Sequence, residues 1–358
     1  MGSRSSTEGS PFGKRLLWFV SLLSSRTTMQ SASWQYHPME LLVRPSSSES
    51  NLAWQIVEAF RRDFLAGFVR HGAGVVAQAS PETRLAMGGS APIAGLAVNG
   101  RESLFATAGH LDLPTQKILL SDTDLVVVEG CLDSPSPTVL ELRPDGTGLG
   151  EAVASGARNL VALVGERRPV DKLPPGGIPW FPRDDLPGLL EHLRDLNEAT
   201  LRSRPLWGIL LGAMASEPIR LQEAAMVLSS HCDRFFVDPA IGRDSPAGEP
   251  LENRHVRKDD LGQIMSVLEA HPGVAFLVVR PDGGPDLDER LQMLCRRRNP
   301  YRMATAYRES DTHLPIPAPA IWEPKALSRI HLALAAGIHC PQKILTHSRV
   351  ELLDPGTA

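Results

Sequence analysis

The chain has 358 residues, of which 42% are apolar and 22% charged, with a net charge of -4 and a pI near 6.3. That length exceeds the roughly 100 to 200 residues usual for one domain, so two cores are expected. The acidic balance excludes a generic nucleic-acid binder, because phosphate neutralisation needs a concentrated basic face.

In chain order, residues 1–38 are rich in Ser and lack sustained periodicity. They read as a disordered tail, or as an upstream start with Met29 or Met39 as the true beginning. Within them "KRLLWFVSLLSS" has the outline of a signal peptide, but no small-residue cleavage site follows closely, and the run is too short to span a bilayer. A cytoplasmic protein with no membrane partner is expected.

From Met39 short apolar runs alternate with helix-like segments. "MELLV" reads as a strand, "NLAWQIVEAFRRDFLAGF" (residues 51–68) as an amphipathic helix, and "AGVVAQAS", "TDLVVVEG" and "ARNLVALVG" as strands. "RDDLPGLLEHLRDL" reads as a helix with an acidic first turn, as the helix dipole favours. Strands that are continuously apolar are buried on both faces, the mark of a parallel sheet covered by helices.

The polar stretch at residues 197–208 is read as a boundary, giving domains over residues 39–200 and 205–354. The second half repeats the grammar: strand "WGILLGA", helix "IRLQEAAMVLSSH", strand "DRFFVD", helix "DLGQIMSVLEAH", strand "VAFLVVRP", helix "DLDERLQMLCRR", and a late helix "ALSRIHLALAAG". The predicted fold is therefore α/β, with two open, mostly parallel sheets and helices on both faces. The basic cluster "CRRRNPYR" is read as a solvated loop.

In such sheets ligands lie beyond the carboxyl ends of the strands. After "MELLV" a phosphate loop would need glycines, backbone N–H groups, a Lys and a Ser or Thr on Mg²⁺. The register holds Ser46, Ser47, Ser48, Glu49, Ser50 and Asn51, without glycine or lysine. Ser48 and Ser50 at a helix start remain candidate anion contacts. Glu129 ends the "TDLVVVEG" strand; it is either a metal-binding acid or a carboxylate capping a nearby helix.

Cys131, Cys232, Cys295 and Cys340 form no C-x-x-C pair, which disfavours a zinc site or a disulfide framework. The eleven histidines, among them His71, His110, His231, His271 and His331, include no H-x-x-x-H pair with an intervening acid, so isolated surface or core histidines are expected. The serines lack a Gly-x-Ser-x-Gly elbow, which disfavours a hydrolase.

"VRHGAGVVAQASPETRLAM", "TDLVVVEGCLDSPSPTVLEL" and "NLVALVGERRPVDKLPPGGIPWFPRDDLPGLLEHL" resemble, in order, segments of the MobB family, GTP-binding adaptors of molybdenum cofactor maturation. The resemblance covers about residues 39–196 and implies a P-loop-like domain with Glu129 in a Walker-B-like place. Ser46 to Asn51 stand where that family has a Gly-rich loop with Lys-Thr, and no room is seen between Phe60 and Gly67 for its second strand and histidine loop.

The second half resembles the MobA family, nucleotidyltransferases that join a guanylyl group to molybdopterin, over about residues 205–354. This implies a Rossmann-like nucleotidyltransferase domain. "ILLGAMASEPIRLQEAAM" carries Leu211, Gly212, Ala213 and Arg220 at or near nucleotide-binding places, with Gln222-Glu223 near the expected Asp-Lys. "RKDDLGQIMSVLEAH" and "VAFLVVRPDGGPDLDERLQML" supply Asp259 or Asp260, and Asp282, for Mg²⁺. "IPAPAIWEPKALSRIHLALAAGIHCPQKIL" resembles the closing segment, with Trp322 in its aromatic place.

Two functions follow as expectations. An active C-terminal domain would hold GTP on the Gly212 loop and Mg²⁺ on Asp260 and Asp282, while molybdopterin phosphate attacks the α-phosphorus. Alternatively both domains have lost phosphate chemistry and form a scaffold that binds the cofactor or a molybdoenzyme maturation partner. The missing lysines favour the second.

Overall fold

The computed structural model describes residues 40–47, 50–60, 64–70, 93–98, 101–106, 120, 123–130, 136–155, 157, 159–169, 177–212, 218–238, 248–252, 259–281, 284 and 286–354. Among them lie two mostly parallel α/β sheets with helices packed against them, as the apolar runs predict.

The first sheet contains β1 (Glu40–Arg44), β2 (Ala66–Arg70), β3 (Ile93–Val98), β4 (Arg101–Ala106), β5 (Leu125–Glu129), β6 (Thr138–Glu141), β7 (Leu160–Gly165) and β8 (Trp180–Pro182). Their order is β4-β3-β2-β5-β1-β6-β7-β8. The run from β2 to β8 is parallel, and β3 and β4 add an antiparallel hairpin at one edge. Every residue of β5 and β6 is buried.

Helix α1 (Leu52–Phe60) buries Leu52, Ala53, Ile56, Val57 and Phe60, a stripe at helical spacing. It packs with Leu189 and Leu193 of α3 (Leu186–Arg202) on one face of the sheet. A short α2 (Leu149–Ala154) covers Leu140 and Leu163 from a separate cluster.

The second sheet contains β9 (Leu206–Leu210), β10 (Phe235–Val237), β11 (Glu249–Pro250), β12 (Ala275–Val279), β13 (Ala304–Arg308), β14 (Pro315–Trp322) and β15 (Val350–Leu353). The order is β11-β10-β9-β12-β14-β13-β15. Strand β14 runs antiparallel to both its neighbours, so β13 and β15 point the same way as β9 and β12.

Helices α4 (Pro218–His231), α5 (Asp260–Ala270), α6 (Leu287–Arg296), α7 (Ala326–Ala335) and α8 (Pro341–Thr346) complete this half. One core, on Phe276, Trp322, Ile264 and Leu327, lies against α5, α7 and α8; the other, on Leu228, Leu277, Leu291 and Ile321, lies against α4 and α6.

Several expectations need correction. Helix α1 ends at Phe60, and Ala66 to Phe68 belong to β2, where Gly67 pairs with Val126. Glycine costs a helix about 1 kcal/mol, and a Cβ at Gly67 would come within 3.0 Å of Leu120 Cδ2. A strand therefore does fit just beyond Phe60. The segment "AGVVAQAS" lies outside the described residues. Asn197 to Arg202, read as a polar linker, continue α3 with Asn197 and Leu201 buried. The basic cluster is not a free loop: Arg298 forks onto the fully buried Glu323 at 2.7 and 3.1 Å and reaches Arg204 O.

Candidate functional site

The chain leaves β1 for β2 on one side of the sheet and leaves β6 for β7 and β8 on the other. The crevice at the carboxyl ends of β1 and β6 is therefore the switch point, where an open α/β sheet offers a ligand site. Glu141, the last residue of β6, fills it. The backbone N–H of Ser46 donates to Glu141 Oε2 at 2.9 Å, and the Arg183 guanidinium, just after β8, ion-pairs with Glu141 Oε1. The Glu141 side chain has no exposed surface, whereas that of Arg183 is 40% exposed.

Around this pair the remaining candidates are arranged by strand register. Glu129 at the end of β5 is level with Val43 of β1 and is buried. Gly130 then takes φ 148, a backbone region L side chains rarely adopt, and its N–H donates to Val43 O at 3.1 Å. Glu129 thus stands beside the β1 loop, as its sequence position implied.

Ser50 is buried, and its Oγ accepts from Leu52 N–H at 3.3 Å at the start of α1. That bond places the Ser50 hydroxyl as an acceptor at the helix start. Ser48 lies outside the described residues. Arg44 turns away from the loop, donating to Ser155 Oγ at 2.9 Å beside α2.

GTP and Mg²⁺ do not fit this crevice. A backbone donor that would meet a phosphate already meets a carboxylate, and no lysine stands between residues 44 and 53. Like charges 4 Å apart repel by about 4 kcal/mol at an effective dielectric near 20. Arg183, a described cation beside the crevice, is ion-paired with Glu141.

The second switch point lies between β9, whose chain proceeds to β10 and β11, and β12 on its other side. Gly212 follows β9, and a Cβ there would collide with the Asp238 carboxylate. Asp238 follows β10 and accepts from Gln263 Nε2 of α5 at 2.5 Å. That bond fixes the amide's orientation and leaves Gln263 Oε1 buried, with no hydrogen-bond partner among the described residues. Gly212, Asp238 and Gln263 are therefore one constellation.

The other residues expected here divide. Asp260 sits at the start of α5, one turn from Gln263, but its carboxylate ion-pairs with Arg280 after β12. Asp259 accepts from Gly262 N–H at 3.0 Å and caps α5. Leu211 lies in the core: its side chain is buried and its N–H donates to Val279 O at 2.9 Å. Arg220 is exposed on the first turn of α4. Ala213 and Asp282 lie outside the described residues.

Sequence reasoning missed Glu141, Asp238 and Gln263. The two acids carried a usable signal, since each stands at or directly after the carboxyl end of an apolar strand. Gln263 carried none, because a glutamine inside an apolar helix reads as surface.

A cavity of about 390 Å³ opens elsewhere, at the amino end of β10, lined by Ser229, His231, Asp233, Arg234 and Glu249 among others. Within it Arg234 pairs with Glu249, while Ser229 donates to Met226 O and His231 pairs with Asp288 outside the lining. Hydrogen bonds from Arg234 hold the Glu249 carboxyl below its ordinary range, and the guanidinium stacks over Trp207 at 4.5 Å. It lies at the edge opposite the switch point, so it is set aside as a ligand site.

Among the described residues no group of three His, Cys, Asp or Glu side chains could hold a metal ion. No described helix is long and apolar enough to cross a membrane.

No protein-family model matches the chain. It is 25% identical over 177 residues, 44% of its length, to the molybdenum cofactor biosynthesis bifunctional protein of Synechocystis sp.. The similarity lies in the N-terminal part. The chain spans about half the length of that curated relative, 50%. Among solved structures, a MobB homolog from Bacillus stearothermophilus matches 45% of this chain and 99% of its own, at 20% identity and a TM-score of 0.31. Bacillus subtilis MobB matches 44% and 96%, at 21% identity and a TM-score of 0.29.

Proposed function

We propose that this chain serves molybdenum cofactor maturation as a two-domain binding scaffold, docking the cofactor or a molybdoenzyme maturation partner without hydrolysing GTP. Homology to a molybdenum cofactor biosynthesis protein supplies the process. The observation that carries the rest is the hydrogen bond from Ser46 N–H to the buried, Arg183-paired Glu141 carboxylate, in the place a phosphate would need. The test is phosphate release from GTP with Mg²⁺. Release no faster than in protein-free solution is expected; Mg²⁺-dependent release abolished by Glu129→Gln would overturn the reading.

A second reading, guanylyl transfer to molybdopterin by the C-terminal half, rests on Gln263. A buried acceptor left unpaired costs about 1 to 3 kcal/mol, and an N–H donor on a ligand, such as the amino group of guanine, would recover it. Asp238 and the Gly212 turn flank that oxygen. Arg280 weakens the case by holding Asp260, an expected Mg²⁺ ligand. If this reading holds, GTP stabilises the protein against heat and Gln263→Leu removes the shift. No shift at millimolar GTP would exclude it, since a ligand at a hundred times its Kd stabilises by about 2.7 kcal/mol.

A further inference from the structure

We propose that the two halves form one rigid, two-ended body. They are joined at the amino edges of both sheets, and their switch-point crevices open at opposite ends, so each crevice meets its own partner and nothing passes directly between them. This inference does not depend on which ligands the crevices take.

The connection alone imposes much of this arrangement. Helix α3 starts at the carboxyl edge of the first sheet, directly after β8, and its 17 residues span about 25 Å back toward the amino edge. Ser203 to Pro205 then lead straight into the amino end of β9. Three residues leave the second sheet no room to turn its other edge toward the first.

The side-chain contacts seen between the halves among the described residues lie at those same edges. Asp124 immediately precedes β5 and accepts from Leu65 N–H, just before β2, at 2.9 Å. Arg349 immediately precedes β15 and forks onto both Asp124 oxygens at 2.9 and 3.0 Å. Lys325 lies just beyond β14, whose reversed direction brings its carboxyl end to this edge. Its Nζ donates to Thr123 O at 3.1 Å and Tyr301 O at 2.8 Å, and stands 3.7 Å from Asp124 Oδ1.

Tyr301, shortly before β13, extends the seam. Its ring packs against Phe64 at 5.1 Å between centroids, and its hydroxyl accepts from Asn197 of α3 at 2.9 Å. The Asp124 and Lys325 side chains are 4% and 3% exposed. Buried charges tolerate only the geometry that pairs them, so this seam admits one docking arrangement and does not slide.

The crevices stand on the far side of each sheet from the seam. A five-residue strand spans about 17 Å, so the two sites are on the order of 40 Å apart. A small molecule leaving one crevice enters solvent before it meets the other.

The test is a spin-label distance between Asp145→Cys, exposed beyond β6, and Ile219→Cys, exposed on the first turn of α4, in a full chain whose four native cysteines are alanine. One narrow distribution on the order of 40 Å is expected. A mean below about 25 Å, or two separated populations, would overturn the arrangement. Adding Arg349→Ala, with secondary structure unchanged by circular dichroism, is expected to broaden the distribution; an unaltered width would overturn the role of the ion seam. Hydrogen exchange on the unmodified chain is independent of labelling: Leu65 and Met303 amides should exchange with the slow core, and rapid exchange there would contradict the proposal.

Discussion

Individual side chains in this protein spend their charges on each other at the places where a nucleotide protein would spend them on phosphate. Glu141 and Asp260 are each held by an arginine from a neighbouring strand end. Gly212 shows the same tightness, since the Asp238 carboxylate occupies the space a Cβ would need. Gly212→Val is expected to cost about 2 kcal/mol by overpacking, read as a lower urea midpoint, with Gly212→Ala costing less. Burial pushes the Cys232 thiol up to about 12, with nearby Cys295 and Asp233 adding to it. Below pH 9 both folded and unfolded chains keep that proton. Between pH 9 and 12 only the folded chain does, so stability falls as pH rises, by at most about 1.4 kcal/mol per unit. Urea midpoints at pH 8 and 10 measure the fall, and Cys232→Ala should reduce it.

At the scale of elements, what the sequence made legible followed from periodicity and what it hid followed from pairing. The apolar runs of β1, β5, β7, β9 and β12 announced themselves because strands buried on both faces carry no polar positions. β2 was lost inside a helical pattern, since Leu65 to Val69 continue the apolar spacing of α1 and only Gly67 marks the change. The β3–β4 hairpin was missed, although the sequence carries Asn99-Gly100, a dipeptide that favours two-residue turns, between Val98 and Arg101. β14 carries three prolines, which argue against a strand unless its neighbours fix it. Asp259, expected as a Mg²⁺ candidate, stands before the apolar run of α5 and accepts from Gly262 N–H as an N-cap does. Asp259→Ala should destabilise the protein by about 1 kcal/mol, measured by chemical denaturation, with the helix content of the folded state unchanged.

Across the whole molecule, the two halves share buried ions as well as a chain. Lys325→Ala would strip Thr123 O and Tyr301 O of a donor and take one of the two cations, Lys325 and Arg349, from beside Asp124. A loss of about 3 kcal/mol is expected, and calorimetry should show one cooperative transition in the parent resolving toward two in the variant. No such seam was legible beforehand, because its partners are separated by up to 225 residues and each reads locally as an ordinary loop charge. The candidate crevices were half legible: strand ends pointed to Glu129 and Gly212, while Glu141 and Gln263 became visible only when strand order and helix packing brought them alongside. The central claim is that the first crevice is closed by Glu141 and takes no nucleotide. Hydrogen exchange read by mass spectrometry over the whole chain, with and without millimolar GTP and Mg²⁺, tests it most directly. The account predicts no change in exchange at residues 44–52, whatever happens near Gly212. Slowed exchange of the Ser46 to Leu52 amides on adding GTP would contradict it.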